Sequence, residues 1–245
     1  MTDSVSIVLT SYFEGALLQA TVPVLRALLE KHRVDHELIV VVDGTDEEND
    51  RALKTLAKVT PGLRIFWNQH NIGRGGSVAR GIREARGNVA GFIDPDLEIV
   101  PDVIPAMLRA LRDGAELVVA RREVPVHANN LFRWILSRGY RFTARVLLQL
   151  PDVDTESGCK FFRIERLLPV IDTVENQRWF WDTELVARAL HQGINVAEVP
   201  APFVRNNDHP TTVRLWRDIT EYLRELLRLR RQLRAGRVAT SHVRT

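Results

Sequence analysis

Asp94 and Asp96 stand one proline apart in Gly91-Phe92-Ile93-Asp94-Pro95-Asp96-Leu97-Glu98, directly after the apolar run from Val89 to Ile93. Two carboxylates that close repel each other and lose solvation, so holding both needs a countercharge. A divalent cation is the simplest one. Mg²⁺ and Mn²⁺ favour hard oxygen ligands and keep positions open for substrate phosphates. Pro95 fixes its own φ and stiffens the turn, and Glu98 offers a third oxygen donor. The alternative is a surface turn whose acids are solvated, ahead of a helix beginning near Pro101.

Three further groups bear on chemistry. Asn71-Ile72-Gly73-Arg74-Gly75-Gly76 opens a helix, where backbone amides together with Arg74 would suit a diphosphate; otherwise it is a flexible helix entry. Asp43 ends an apolar run beside Gly44, as an acceptor for a base or ribose or as an ordinary turn former. Asp182 and Glu184 begin another helix and are candidate general bases if the reaction deprotonates a hydroxyl; Asp182 is alternatively an N-cap. The loop after the first strand, Ser11-Tyr12-Phe13-Glu14-Gly15, lacks the glycine fingerprint of dinucleotide oxidoreductases, and no P-loop sequence occurs.

The elements that must position these groups follow from periodicity. Short apolar strands at Val5–Thr10, Glu37–Val42, Leu63–Trp67, Val89–Ile93 and Leu117–Ala120 alternate with helices at Leu17–Lys31, Glu47–Lys58 and Ser77–Ala85. This pattern predicts an α/β fold with a mostly parallel central sheet covered on both faces. Ligands in such sheets bind beyond the carboxyl ends of the strands. Tyr12 and Glu14, Asp43, Asn71 to Gly76, and Asp94 to Glu98 all fall at such ends, which favours a binding site over merely exposed loops. Further on, Asn129 to Leu150 reads as an Arg-rich amphipathic stretch interrupted at Gly139. A strand at Asn195–Val199 is broken by Pro200 and Pro202. A last helix spans Thr211 to about Leu233, and the chain from Gly236 reads as disordered.

The 245 residues are 45% hydrophobic with a net charge of +3, and an isoelectric point of about 9.3 suits anionic partners. Nucleic acid is disfavoured, because the basic residues lack interleaved stacking aromatics. Cys159 is the one cysteine, so no intrachain disulfide forms and a reducing compartment is expected. No basic-then-apolar leader is evident and no apolar run nears the ~18 residues of a membrane span. The expectation is a cytoplasmic protein, soluble or peripheral. Arg138, Arg141 and Arg145 lie along one helical face with Trp134, Phe142, Val146 and Leu150 as apolar surface. Leu215, Ile219, Tyr222, Leu226, Leu229 and Leu233 form a second seam flanked by arginines. Such helices bind anionic membrane surfaces without crossing them. Alternatively, the first packs on the core and the second is a homodimer seam.

The order of these pieces, from Leu9-Thr10-Ser11-Tyr12-Phe13-Glu14 through Val42-Asp43-Gly44-Thr45-Asp46, Asn71 to Gly76 and Asp94-Pro95-Asp96 to Asp154-Thr155-Glu156-Ser157-Gly158-Cys159-Lys160-Phe161-Phe162, resembles the family 2 glycosyltransferases of the GT-A fold. Within them it resembles the polyprenyl- or dolichyl-phosphate mannosyl- and glucosyltransferases, over residues 5 to about 215. The resemblance implies that Asp94 and Asp96, with Glu98 beside them, hold Mg²⁺ or Mn²⁺ and through it the donor diphosphate. It implies that Asp43 meets the nucleobase, that Tyr12 and Glu14 line the nucleotide pocket, and that Arg205 clamps the diphosphate beside Arg74. Arg122, Arg133 and Ser137 would hold an acceptor phosphate. Three positions depart from the family pattern: Val42 stands where an acid often precedes Asp43, Glu98 where glutamine is frequent, and Asp208-His209-Pro210-Thr211-Thr212 where a Gly-x-Ser-Lys run is usual.

The implied activity is inverting transfer of a hexose from a nucleoside-diphosphate sugar, of the GDP-mannose or UDP-glucose type, to polyprenyl phosphate. It would be carried by a domain over residues 1–210, with a basic amphipathic helix over 211–235 and a tail over 236–245. A phosphate monoester has a second pKa of about 6 and needs no base; a sugar hydroxyl would need Asp182 or Glu184. A transferase acting on such a hydroxyl is therefore one alternative. A non-catalytic sugar-nucleotide-binding module is the other, and the retention of both Asp94 and Asp96 argues against it.

Overall fold

The computed structural model describes residues 3–44, 46–124, 131–204 and 215–241, without the side chains of 131–137, 215–219 and 236–241. The strands are β1 (Ser4–Tyr12), β2 (Asp35–Gly44), β3 (Arg64–Trp67), β4 (Val89–Ile93), β5 (Leu117–Glu123), β6 (Cys159–Arg163) and β7 (Val196–Pro202). The helices are α1 (Gly15–Lys31), α2 (Glu47–Val59), α3 (Arg74–Arg83), α4 (Ile104–Arg112), α5 (Leu131–Leu148), α6 (Ile164–Ile171), α7 (Trp181–His191) and α8 (Leu215–Ser241).

Among the described residues the strands form one sheet, in the order β3-β2-β1-β4-β6-β5-β7. β6 runs antiparallel to both neighbours, β4 and β5; the other pairings are parallel. Alternation along the strands builds two cores. Val5, Ile7 and Leu9 of β1 face α1, α2 and α4. Val8 of β1 faces α3, α6 and α7, as do Ile39 and Val41 of β2. The expected mostly parallel sheet with helices on both faces is the observed one.

Several local expectations change. α5 runs unbroken through Gly139, because one exposed glycine costs a helix only about 1 kcal/mol. Pro200 and Pro202 lie inside β7 and do not break it. β7 sits at the sheet edge, where a missing N–H breaks no ladder. α8 continues to Ser241, past Gly236.

The seam of α8 has an occupant within the same chain. Leu226 and Leu229 are buried with Tyr222 and Leu233 against Ala144 and Leu148 of α5, Ala187 of α7 and Phe180, the residue before α7. These four positions therefore face the domain itself, not a bilayer or a second copy as the sequence reading has it; Leu215 and Ile219 lie outside the described side chains. Leu226→Ala is expected to cost about 2–5 kcal/mol, the loss for a fully buried leucine. Urea unfolding measures it, and a near-zero cost would mean that α8 is a detached appendage. No described helix is long and apolar enough to cross a membrane.

Candidate active site

The carboxyl ends of β1, β2 and β4 open into a cavity of about 690 Å³, within the range of small-molecule sites. Tyr12, Glu14, Asp43, Arg74, Asp94, Asp96, Glu98, Arg122 and Asp182 all line it. Residues far apart in the chain thus meet as the strand-end rule requires. The side chains of Arg133 and Ser137, and all of Arg205 and residues 208–212, lie outside the described residues.

At the β1 end the pairing with β2 slips between Ser11 and Tyr12. Such a bulge re-aims the side chain that follows it. Tyr12 stands half exposed at the rim, edge-on to Phe13 with ring centroids 4.5 Å apart.

Asp43 works inward. Its carboxylate accepts from the amides of Ile72 and Gly73 at 2.9 and 2.8 Å and from Asn68 Nδ2 at 2.6 Å. It therefore ties the Asn71–Gly73 loop to the end of β2. The glycines next to that loop also serve packing. Gly73 has φ +89°, and a Cβ there would meet the Gln177 carbonyl oxygen at 2.4 Å; at Gly75 a Cβ would meet Trp181 at 2.3 Å. The Gly76 amide donates to Gln177 O at 3.0 Å. Three of the amides in the stretch expected to cradle a diphosphate, those of Ile72, Gly73 and Gly76, are thus already bonded, and the glycines let α3 press against the start of α7.

That close approach places Arg74 at the centre of a buried charge chain. Its Nε and Nη2 donate to Asp94 Oδ1 at 2.8 and 2.6 Å. Its Nη1 donates to Asp182 Oδ2 at 2.5 Å. The other oxygen of Asp182 accepts from Lys160 Nζ at 2.7 Å, and Lys160 also donates to the Ser157 carbonyl. Asp182 sits inside the first turn of α7, after Phe180 as N-cap, so it is not the cap. Glu184 turns away: its carboxylate accepts from the Glu175 and Asn176 amides and from Arg188.

Desolvation sets the electrostatics. Burial works against the Arg74 charge, yet Asp182 and Asp94 hold its guanidinium above the usual range. Burial pushes the Asp94 carboxyl up; Arg74 opposes this, and the Asp182 and Asp96 charges add to it. Burial pushes the Lys160 ammonium down against the pull of Asp182.

Lys160, Glu156 and Tyr222 carry no site role in the sequence analysis, where Tyr222 belongs to the apolar seam of the last helix and the other two to the stretch that carries the family resemblance. β6 pairs Ile93 with Cys159 and Phe92 with Lys160, so the loop before β6 ends beside Asp94, whose amide donates to Gly158 O at 3.0 Å. Strand alternation then turns the fully buried Lys160 toward Asp182 and the Phe92 ring. The available signal was a lysine flanked by apolar residues in a strand, where an unpaired charge is untenable. Tyr222 enters from α8, packed edge-on against Tyr140 and Phe180. At that end Arg122 pairs with Asp154 at 2.7 Å and Glu156 at 3.4 Å. Burial pushes the Glu156 carboxyl up, with Arg122 opposing.

Among the described residues no three acids, histidines or cysteines converge as a metal cage. Glu98 therefore does not complete a three-ligand set with Asp94 and Asp96. The guanidinium already seated on Asp94 shows that a cation fits there. Two hard-oxygen ligands with the rest left to phosphates and water is the usual Mg²⁺ arrangement.

Residues 6–168 match the family model described as glycosyl transferase family 2. The chain is 32% identical over 229 residues to glycosyltransferase AglD of Haloferax volcanii, covering 91% of this chain and 36% of that protein. It is 28% identical over 204 residues to a dolichol-phosphate mannosyltransferase of Pyrococcus furiosus, covering 80% and 55%. It therefore spans about a third to about half the length of the curated relatives it matches. Glucosyl-3-phosphoglycerate synthase from Mycobacterium tuberculosis, solved with UDP, superposes with a TM-score of 0.66 at 20% identity, covering 93% of this chain and 80% of that one. The same synthase has been solved with Mn²⁺, UDP and phosphoglyceric acid. The sheet order, the acidic turn at its carboxyl edge and the family match over residues 6–168 agree: this chain is a family 2 glycosyltransferase with the GT-A fold.

Proposed function

We propose that the chain transfers a hexose, with inversion, from a nucleoside-diphosphate sugar to a polyprenyl phosphate. The observation that carries the acceptor class is Asp182. Its two oxygens are gripped by Arg74 and Lys160. Both Asp182 oxygens are already occupied as hydrogen-bond acceptors, and Glu184 is spent on backbone amides and Arg188. Neither of the two candidate bases therefore has a carboxylate oxygen turned to an acceptor hydroxyl, whereas an acceptor phosphate arrives ionised and needs none. The likeness to a dolichol-phosphate mannosyltransferase supports the same reading.

Tyr12 and Glu14 border the nucleotide, and Asp43 acts indirectly by fixing the Asn71–Gly73 loop. Asp94 and Asp96 would hold Mg²⁺ or Mn²⁺, which when bound neutralises charge on the leaving diphosphate. A phosphate oxygen of the acceptor attacks the anomeric carbon from the face opposite the diphosphate. The new C–O bond forms as the old one breaks, and the electron pair leaves with the nucleoside diphosphate. Arg122, with Arg133 and Ser137, offsets the acceptor charge. Arg74 and Arg205 offset that of the donor, as the guanidinium fork suits phosphate.

A lipid acceptor is met at the bilayer. The proposed contact is α5, where Phe142 and Val146 are 66% and 56% exposed beside Arg138 and Arg145, not the buried seam of α8.

The test is a donor screen: purified protein, Mn²⁺ or Mg²⁺, GDP- and UDP-hexoses, and either polyprenyl phosphate or a neutral sugar as acceptor. A lipid-linked monosaccharide phosphate is expected, with no product on the neutral sugar. Transfer to the neutral sugar alone would overturn the phosphate reading and return Asp182 to the role of base.

A further inference from the structure

We propose that Arg74 competes with the divalent cation for Asp94 and gives way when a nucleoside diphosphate accepts its guanidinium, so that metal and donor bind as a coupled pair. The inference rests on the reading of a nucleoside-diphosphate donor.

One oxygen of the Asp94 carboxylate is taken by Arg74 and the other lies against Gly158. Arg74 places Nε and Nη2 on Oδ1, at 2.8 and 2.6 Å. Oδ2 lies so close over Gly158 that a Cβ there would come within 1.9 Å. A divalent ion and the guanidinium cannot share Oδ1, since two cations at one oxygen repel and each needs the same lone pairs. For Asp94 to ligate a metal through Oδ1, Arg74 must let go, and at Oδ2 the ion would still meet the charge of the adjacent guanidinium.

The two ends of the guanidinium are held differently. The Asp182 end is anchored: that carboxylate is 4% exposed and is pinned from behind by the fully buried Lys160, itself bonded to Ser157 O. The Asp94 end faces the cavity, with its carboxylate 32% exposed. Trp179, a largely exposed ring 5.3 Å from the guanidinium carbon, flanks Arg74 on the open side. The side chain therefore has a fixed pivot at Asp182 and an open end that can turn from Asp94 toward a diphosphate in the same cavity. The donor supplies the anion that Arg74 loses, and the metal supplies the cation that Asp94 loses. Asp182 and Lys160 are positioning residues in this arrangement. By linkage, the factor by which donor tightens metal is the factor by which metal tightens donor.

Mn²⁺ binding to the full chain, read by the EPR signal of the free ion with and without UDP or GDP, tests this in wild type and in Arg74→Gln. Arg74→Gln is expected to bind Mn²⁺ alone about tenfold more tightly, to bind nucleotide alone more weakly, and to show a smaller coupling factor. Unchanged or weaker binding of Mn²⁺ alone by a variant with native circular dichroism would overturn the proposal. If that variant does not fold, the Arg74 Nε–H NMR resonance of wild type decides, assigned by its loss in Arg74→Lys. It should shift when Mg²⁺ and nucleotide saturate the protein; a resonance that stays put at saturation sinks the idea. If neither nucleotide binds at all, the donor reading fails, and the Mn²⁺-only comparison still decides whether Arg74 and metal compete.

Discussion

Asp96→Asn is expected to lower kcat by roughly two to four orders of magnitude while leaving the unfolding transition where it was. Asp96 sits at the acidic turn on the cavity wall, with its Oδ1 accepting from the Glu98 amide at 3.2 Å. Asparagine keeps that acceptor and the shape but drops the charge. If Asp96 holds the metal as proposed, several kcal/mol of charge neutralisation at the leaving diphosphate depends on the carboxylate, and each 1.36 kcal/mol is about a factor of ten in rate. Single-turnover kinetics with saturating donor isolate the chemical step from binding. EDTA treatment of wild type should mimic the variant, and excess Mn²⁺ should restore the wild type alone. Normal turnover in either preparation would remove the metal role from this turn.

Asp182→Asn should instead strike at stability. Asp182 is 3% exposed and links Arg74 to Lys160. Removing its charge leaves a fully buried ammonium and half of a guanidinium without their counter-ion. Breaking a buried pair from one side typically costs about 3–5 kcal/mol, which in a chain of this size lowers Tm on the order of 10 °C. Calorimetry measures it. Adding Lys160→Met to Asp182→Asn should recover part of the loss, because the uncompensated buried charge is gone. A double variant no more stable than Asp182→Asn would mean that the cost lies elsewhere, for instance in the Arg74 contact.

The two substitutions separate what the acidic residues do. On the proposed reading Asp96 serves the transition state and little of the fold. Asp182 holds the wall on which Arg74 is mounted, so its loss of activity should follow its loss of structure. A hydroxyl-acceptor enzyme would show the reverse for Asp182: a large drop in kcat at nearly native stability, as befits a general base.

The sequence by itself determined the alternation of strands and helices through Leu117, the acidic turn at the end of β4, and the gathering of Tyr12, Asp43, Arg74 and Asp94 at one sheet edge. Those features are local or follow from a topological rule: apolar runs of strand length, breaker residues after them, and ligands beyond strand carboxyl ends. Tertiary structure decided the rest. Nothing in the run Cys159–Arg163 tells that it inserts antiparallel between β4 and β5, yet that insertion alone brings Gly158 to Asp94 and Lys160 to Asp182. The glycines after Asn71 read equally well as a phosphate cradle or a close contact, and only the approach of Gln177 and Trp181 resolved them. The apolar seam of α8 announced a partner without naming it. A periodic stripe records that a face is buried, whereas what buries it depends on contacts more than 30 residues away in the chain, here α5 and α7.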